Sequence, residues 1–209
     1  MRSYKQYCAI AKALDVIGDR WNMLIVRELL LQGACRYTDL NNGLPGIATN
    51  LLAERLRSME GNGLVRKDYE DRYALTERGE GLRDVVYAIG RWAYPLMGEM
   101  AEDETFRSHW IVHPIAAMFP GVDPARPELV IEVRSGGDAM TVRSSGGRVT
   151  VEWGPPSAPD LLLTGPPDAI VALFAGRLDL DGARARDVAI TGDGRRLRKL
   201  RPSVPTTAG

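Results

Sequence analysis

Apolar residues in the first half of the chain recur every three or four places, which is the spacing of amphipathic helices. Glycines and short polar runs interrupt this pattern and indicate where one helix ends and the next begins. The first predicted helix has Ile10, Ala13, Leu14 and Ile17 on a single face and ends at Gly18. The second has Trp21, Leu24, Ile25 and Leu29 and ends at Gly33. A short third helix begins near Thr38, and a fourth runs from about Thr49 to Glu60.

The pattern changes after the fourth helix. Residues 64–75 have the composition of two short strands on either side of the polar turn DYED. The next segment, TERGEGLRDVVYAIGRWAYPLMGEM, predicts one long amphipathic fifth helix. Helices, then a hairpin, then a long helix follow one another in the order of a winged helix-turn-helix domain, and we expect that fold for the N-terminal half.

The fourth predicted helix has two different faces. At about 100° per residue its apolar stripe consists of Leu52, Leu56 and Met59. Asn50, Glu54 and Arg57 lie on the opposite side. A recognition helix enters the major groove with its N-terminal residues against base edges. Asparagine can pair there with adenine, glutamate can accept from cytosine, and arginine can bind guanine or a phosphate.

The hairpin after this helix suits the role of a wing. Gly61 or Gly63 can adopt the left-handed conformation that ends a helix. The strands then carry Arg66, Lys67 and Arg72, which suit phosphate or minor-groove contact. The alternative is an ordinary amphipathic helix followed by a hairpin. The full set of candidate DNA-binding residues is Arg36, Thr38, Thr49, Asn50, Ala53, Glu54, Arg57, Lys67 and Arg72.

The second half of the chain has a different composition. MFPGVDPARPE, from Met118 to Glu128, is rich in proline and glycine and predicts a linker. After it, LVIEVR, AMTVR, VTVEW and LLLT predict short strands separated by glycine turns. We therefore expect an N-terminal domain at residues 1–100, a connecting helix and linker at 101–127, and a second α+β domain at 128–209.

Charge and cysteine content restrict the partners and the compartment. The chain has 27 basic and 27 acidic residues, so a nucleic-acid site has to be local rather than the result of net charge. Charged residues interrupt the N-terminal segment, which does not have the pattern of a signal peptide. Apolar runs are too short to span a membrane. Two cysteines, Cys8 and Cys35, give no disulfide framework, and we expect a cytoplasmic protein.

Specific motifs connect the first half to a known family. With Cys8, ALDVIGDRWNMLIVREL, RYTDLNNGLPGIATNLLAERLRSMEGNGLV and YALTERG, residues 5–98 resemble the HxlR-type winged-helix regulators. The shared features are the N-terminal cysteine, Gly-x-Arg-Trp before the second helix, Leu-Pro-Gly-Ile before the recognition helix and Leu-Thr-x-x-Gly after the wing. The resemblance implies a homodimer that binds operator DNA, with residues 5–17 and 76–98 forming the dimer.

Two features depart from the family pattern. The family has Ser-Pro at the start of the recognition helix, whereas this chain has Ala48 and Thr49, so the helix cap is weaker or shifts to Thr49. The wing is also shorter than usual, which counts against a contact between the wing and the minor groove.

The second half resembles the lipid-pocket domain of type-two sterol carrier proteins. LTGPPDAIVALFAGRLDL and VAITGDGRRLRKL are the segments that match. The resemblance implies a twisted sheet covered by helices, with a cavity that binds an apolar small molecule through its shape. Large apolar residues of the second half form the packed core in most domains of this kind, and some of them are candidates for the lining of the cavity. The candidate ligand-binding residues are Trp110, Met118, Phe119, Trp153, Leu163 and Phe174.

Few residues suggest other chemistry. His109 and His113 are four apart, but no third ligand follows at a recognisable spacing, so we expect no metal site. No catalytic arrangement or cofactor motif is present in the sequence, and we do not expect an enzyme. Cys8 is either a small apolar residue at a dimer interface or a redox-sensing thiol. The basic run from Arg195 to Arg201 is a solvated helix face or a site for DNA phosphates or an acidic ligand.

These features together predict a cytoplasmic, homodimeric, sequence-specific transcriptional regulator, a repressor, whose C-terminal domain senses an apolar small molecule. One rival is a carrier or sequestering protein that works through the C-terminal pocket. Another is a redox regulator that works through Cys8, with a structural C-terminal domain.

Overall fold

The computed structural model describes residues 3–97, 101 and 103–203, which form two compact units that divide between Val86 and Tyr87. This division lies inside a helix, before the linker that the sequence predicts. Residues of the predicted linker segment, such as Ile111 and Ile115, are buried in the second unit. Compactness does not test independent folding, so the predicted domain limits stay a prediction.

The first unit has the element order of a winged helix-turn-helix domain. Its elements are α1 (Ala9–Ile17), α2 (Asn22–Gln32), β1 (Cys35–Arg36), α3 (Tyr37–Gly43), α4 (Thr49–Gly61), β2 (Val65–Lys67), β3 (Arg72–Leu75), α5 (Glu77–Glu80) and α6 (Arg83–Ala93), whose C-terminal part continues into the second unit. The strands form an antiparallel sheet in the order β1-β3-β2. The first four predicted helices and the hairpin are confirmed. A strand of two residues has no pattern of its own, and β1 was therefore not predicted.

The core of this unit forms around α4. Leu52, Leu56 and Met59 are at most 1% exposed, which confirms the predicted apolar stripe. They pack in one cluster with α2 residues such as Ile25 and Leu29. Complete burial of such side chains contributes about 1.5–3 kcal/mol each, so the stripe fixes which side of α4 faces outward.

The single long fifth helix was a wrong prediction. After Thr76 the chain forms α5, turns at Gly81 and Leu82, and begins again as α6. At the turn Leu82 packs against the core, and its backbone N–H bonds to the carbonyl of Gly79 in a tight turn. A 3-10 helix that contains Pro95 follows α6. The last residues of the predicted helix, 98–100, lie outside the described residues.

Contacts of Thr76 and Gly79 give a physical reason for the Leu-Thr-x-x-Gly motif. Thr76 accepts a hydrogen bond from the backbone N–H of Gly79 at 3.1 Å and donates one to the carbonyl of Gly63 at 2.6 Å. This caps α5 and joins it to the turn after α4. A Cβ at Gly79 would lie only 2.1 Å from the carbonyl oxygen of Leu64. Glycine is therefore required by the close approach of two backbone segments.

A buried carboxylate fixes α3 against α2. Glu28 is fully buried, and its carboxylate accepts hydrogen bonds from Arg27 at 2.7 Å and from Gln32 at 2.9 Å. Arg27 also donates to the carbonyl of Gly43 at the end of α3, at 3.4 Å. A charge without water requires such partners, and they link the two helices before the recognition helix begins.

The second unit is an α+β structure around a single sheet. Its further elements are a 3-10 helix (Ser108–Ile111), α7 (Val112–Ala117), β4 (Leu129–Ser135), β5 (Asp138–Ser145), β6 (Arg148–Trp153), β7 (Leu161–Thr164), α8 (Pro167–Phe174), α9 (Leu180–Ala185), β8 (Ala189–Gly192) and a second 3-10 helix (Gly194–Leu200). The strand order is β6-β5-β4-β7-β8, and β4 and β7 are parallel whereas the other neighbours are antiparallel. The four predicted strands are confirmed; β8 was not predicted.

One face of this sheet is apolar and covered. Ile131, Val142 and Leu161 are register neighbours with at most 1% exposure, and they lie on the same face. Helix α7 contacts β6, and α8 contacts α7. The opposite face carries polar side chains such as Arg143 and Thr150, as expected for a sheet with one wet side. Among the described residues no helix combines the length and the apolarity that a membrane crossing requires.

Replacing Gly79 with alanine should destabilise the first unit by about 1–3 kcal/mol, because the added methyl group overlaps a backbone carbonyl. The matched control is Gly61→Ala in α4, where nothing lies within 4 Å of the new Cβ and the φ angle is not positive. That control should be neutral or gain up to about 1 kcal/mol from helix propensity. Urea unfolding followed by circular dichroism measures both variants. Equal stability of the two would show that the motif glycine is not needed for packing.

Candidate nucleic-acid interface

Helices α3 and α4 form a helix-turn-helix whose turn is fixed from both sides. Leu44 and Ile47 in the turn are buried, and Gly46 between them adopts a positive φ of 86°. The Tyr37 hydroxyl at the start of α3 donates to the carbonyl of Thr49 at the start of α4, at 2.5 Å. The N-termini of the two helices are therefore held together, which brings the candidates Arg36 and Thr38 towards the beginning of α4.

The outward face of α4 is polar and accessible. Thr49, Asn50, Glu54 and Arg57 are exposed, and Ala53 is half-buried between them. Asn50, Glu54 and Arg57 thus share the face opposite the buried stripe, with Ala53 beside them and Thr49 at the N-terminal end of the helix. Small residues near the N-terminal end leave room for the edge of a base pair, which is the geometry of a helix that enters a groove.

The cap of α4 is Ala48, so the cap does not shift to Thr49. Ala48 has no side-chain acceptor, and Asn50 Oδ1 accepts a hydrogen bond from the Leu51 amide at 3.0 Å. The first turn of α4 is therefore capped only in part. Amides of this kind at a helix N-terminus attract phosphate groups.

The polar side chains on α4 differ in their present partners. Glu54 accepts from Arg55 at 2.8 Å, and Arg55 also pairs with Asp19. Arg57 forms no ion pair within the described part of the chain. Arg57 and Asn50 are therefore the residues of this face most available to a new partner, whereas Glu54 first has to leave Arg55.

The two wing cations of the candidate set are paired within the wing. Lys67 Nζ lies 2.8 Å from Asp71, and Arg72 lies 3.1 Å from Asp68 and 2.9 Å from Glu70. These pairs are exposed, and exposed ion pairs contribute only about 0–1 kcal/mol. They can exchange for phosphate contacts at little cost, but they remove the net positive charge of the wing.

Hydrogen bonds within the turn hold the wing in one conformation. Asp68 accepts from the backbone amides of Arg72 and Glu70, both at 2.9 Å. The amide of Arg72, followed by that of Glu70 and the Arg72 side chain, lowers the pKa of the Asp68 carboxyl. A hydrogen bond to Asp71 raises the pKa of Lys67. Arg66, the third basic residue of the predicted strands, is exposed and forms no ion pair within the described residues.

The two cysteines lie in different environments. Cys8 is exposed in the single chain and occupies the N-cap position of α1. The backbone amide of Ala11, and then that of Ile10, lowers the pKa of its thiol. Cys35 is buried in β1, and burial raises its pKa to about 12. At neutral pH Cys8 is therefore the more reactive thiol.

Two helices expose apolar residues to solvent in the single chain. On α1 these are Ile10 and Leu14, at 71% and 43% exposure. On α6 they are Val85, Ile89 and Trp92, which follow one another at helical spacing and are 39–74% exposed. Faces of this kind mark sites where another surface binds.

The candidate ligand-binding residues of the second unit occupy two different environments. Met118, Phe119, Leu163 and Phe174 are at most 4% exposed, and the rings of Phe119 and Phe174 pack edge to face at 6.4 Å. Trp110 is half-buried, and Trp153 is 43% exposed. Four of the six therefore belong to the packed core.

A surface depression of about 530 Å³ lies elsewhere on this unit. Its lining includes Glu132, Arg134 and Asp138 beside the β4–β5 turn, and none of the six candidates. Glu132 is 4% exposed and accepts from Arg134 at 2.6 Å. Charged side chains thus take part in this lining, and the depression is not the cavity lined by large apolar residues that the sequence predicts.

The two histidines do not share one α-helix. His109 lies in the 3-10 helix before α7, near Trp110, and His113 is buried in α7 with its ring 5.6 Å from that of Tyr87. Within the described residues, no cluster of His, Cys, Asp and Glu could hold a metal ion.

Comparisons with known proteins agree with this geometry. Residues 16–100 match the family model described as HxlR-like helix-turn-helix. The uncharacterised HTH-type transcriptional regulator YvaP of Bacillus subtilis is 34% identical over 88 residues, which cover 39% of this chain and 81% of that protein. The putative regulatory protein MalR of Fusobacterium mortiferum is 31% identical over 97 residues, covering 44% of this chain and 92% of MalR. The crystal structure of quinone-bound YodB from B. subtilis has 34% identity and a TM-score of 0.39, covering 42% of this chain and 98% of that chain.

The family match covers most of the first unit and the start of the second. The matches with YvaP and MalR span most of the length of these two proteins, so the shared region is nearly the whole of those relatives. On this basis the chain belongs to the HxlR-like helix-turn-helix family.

Proposed function

We propose that this chain is a sequence-specific transcriptional regulator, a repressor, that binds operator DNA as a homodimer through α4. The observation on which this depends is the outward face of α4. Burial of Leu52, Leu56 and Met59 turns Asn50 and Arg57 outward, with small residues around them. Names of the relatives YvaP and MalR support a regulatory role.

The dimer is proposed from the exposed apolar faces of α1 and α6. Ile10, Ile89 and Trp92 are each 47% exposed or more, and a second copy of the chain would remove them from water. An interface between identical chains pairs the same residues twice. Such a dimer presents two copies of α4 to two half-sites, as helix-turn-helix dimers do.

We further propose that the second unit is a sterol-carrier-like domain that senses an apolar small molecule. Its support is the apolar face of the sheet beneath helices, where Met118, Phe119, Leu163 and Phe174 meet. Binding there requires these packed side chains to move apart. Native mass spectrometry of freshly purified protein tests this proposal: a co-purifying apolar molecule supports it, and an unliganded chain that extracts no lipid from a bacterial extract contradicts it.

A second candidate function is thiol-based redox regulation through Cys8. The supporting observation is that an exposed thiol with a lowered pKa lies at the N-cap of α1. Oxidation or alkylation there would alter a helix that the proposed dimer uses. In this alternative the second unit is structural.

Asn50→Ala and Arg57→Ala should each weaken binding to a duplex that spans the promoter of the protein's own gene. Loss of one base contact costs about 1–3 kcal/mol, or roughly 5- to 150-fold in affinity. Lys12→Ala on α1 is the control, because it removes a charge away from α4. Fluorescence anisotropy measures all three. Wild-type affinity in both α4 variants would show that this helix does not recognise bases.

Iodoacetamide at neutral pH should modify Cys8 much faster than Cys35 in the folded protein. Thiolate is the reactive form, a lowered pKa increases its fraction, and burial with a pKa of about 12 suppresses it at Cys35. Peptide mapping by mass spectrometry gives both rates from one sample, with Cys35 as the internal control. If the redox proposal is correct, alkylation also changes DNA affinity in the wild type and not in Cys8→Ser. Unchanged affinity after complete alkylation would rule out Cys8 as the sensor.

A further inference from the structure

The last helix of the second unit has an unusual pattern of burial. Gly194–Leu200 is a 3-10 helix, in which residues three apart lie one above the other. Gly194, Leu197 and Leu200 are buried at this spacing. The next residue after each of them is Arg195, Arg198 and Arg201, and all three are exposed. We call these three arginines the basic ridge.

The buried side of this helix is fixed to the rest of the unit. Arg126 is 7% exposed and donates to the carbonyls of Leu200 at 3.1 Å and Gly147 at 2.9 Å. Arg196 donates to the carbonyl of Glu128 at 2.7 Å. A Cβ at Gly194 would lie 3.0 Å from a Leu180 methyl group, so the helix packs closely at its start.

The charged residues of the helix and its C-cap, residues 194–201, are all basic. Residues 194–201 contain five basic residues and no acidic one. Arg195 pairs with Asp193 at 2.9 Å, whereas Arg198 and Arg201 form no ion pair within the described part of the chain. Successive members of a 3-10 ridge are roughly 6 Å apart, at a rise of about 2.0 Å per residue. Arg195 and Arg198 are one such step apart on a fixed support, and Arg201 follows the helix directly as its C-cap, in the left-handed conformation.

Several cations of the first unit, in contrast, already have anionic partners. Arg55, Lys67 and Arg72 are all paired with carboxylates of the same unit. DNA binding depends strongly on cations that neutralise phosphates. A regulator with a nearly neutral winged helix therefore gains from a second source of positive charge.

We propose that the basic ridge binds backbone phosphates of DNA and adds a sequence-independent contact to the one made by α4. This inference rests on the proposed DNA binding. Arginine suits the role because its planar guanidinium forms paired hydrogen bonds with phosphate oxygens. A backbone contact fixes no base and needs no base-specific side chain. It raises the affinity for every sequence by the same factor.

The test compares salt dependence in the full-length chain. R195Q/R198Q/R201Q removes the ridge, and R148Q/R184Q/R186Q removes the same charge from exposed arginines elsewhere on the unit. The probe is a duplex of about 30 bp of arbitrary sequence, titrated by anisotropy between about 50 and 200 mM salt. The slope of log K against log salt concentration should fall in magnitude by roughly 2 to 3 in the ridge variant, since each phosphate contact contributes about 0.9.

The control variant should change the slope by less than half as much. A ridge variant with the wild-type slope, or a control with an equal loss, overturns the proposal. Because the Arg195 side chain pairs with Asp193, the residue that caps the helix, R198Q/R201Q is measured in parallel, with an expected fall of roughly 1 to 2. If N50A/R57A loses promoter binding and the ridge variant keeps the wild-type salt slope, the proposal for the basic ridge is wrong and the proposed function is not affected. A wild-type chain that does not bind DNA contradicts both proposals.

Discussion

Burial of one side of α4 is the constraint on which the proposed interface depends. Leu52, Leu56 and Met59 are held in the core by their apolar area, and no rotation of the helix keeps them there and points another face outward. The pair of Arg27 and buried Glu28 links α2 to the end of α3, the helix that precedes α4. A core interaction therefore determines which polar side chains are presented, although none of the core residues would contact DNA.

Ion pairs between nearby residues determine which cations of the first unit are available to a partner. The winged helix pairs several of its cations, those of the wing strands β2 and β3 among them, with its own carboxylates, and its acidic and basic residues nearly balance. Exposed ion pairs of this kind break at little energetic cost, so a partner with several anionic groups can replace the carboxylates. The second unit presents Arg198 and Arg201, which form no ion pair within the described residues, next to a buried stripe that keeps the helix in place.

The sequence predicted what periodicity determines and missed what tertiary contacts determine. The stripe on α4 and strands β4 to β7 follow from local patterns, and the structure has them. The break between α5 and α6 depends on Leu82 packing inward, and the strand β1 exists only because β3 lies beside it. Pairing of Lys67 and Arg72 within the wing depends on turn geometry. The basic run at residues 195–201 was predicted either as a solvated helix face or as a site for DNA phosphates or an acidic ligand, but not as a 3-10 helix, because a periodicity of three is rarely sustained for this length.

Selection of binding sites from a random duplex library with the full-length protein tests the central claim most directly. A homodimer that presents two copies of α4 should enrich an inverted repeat whose half-site centres are about 10–10.5 bp, or a multiple of that, apart. The preferred bases should change in the Asn50→Ala protein at one position of each half-site. Enrichment of no sequence, or of a site without symmetry whose bases are unaffected by Asn50, would contradict the account.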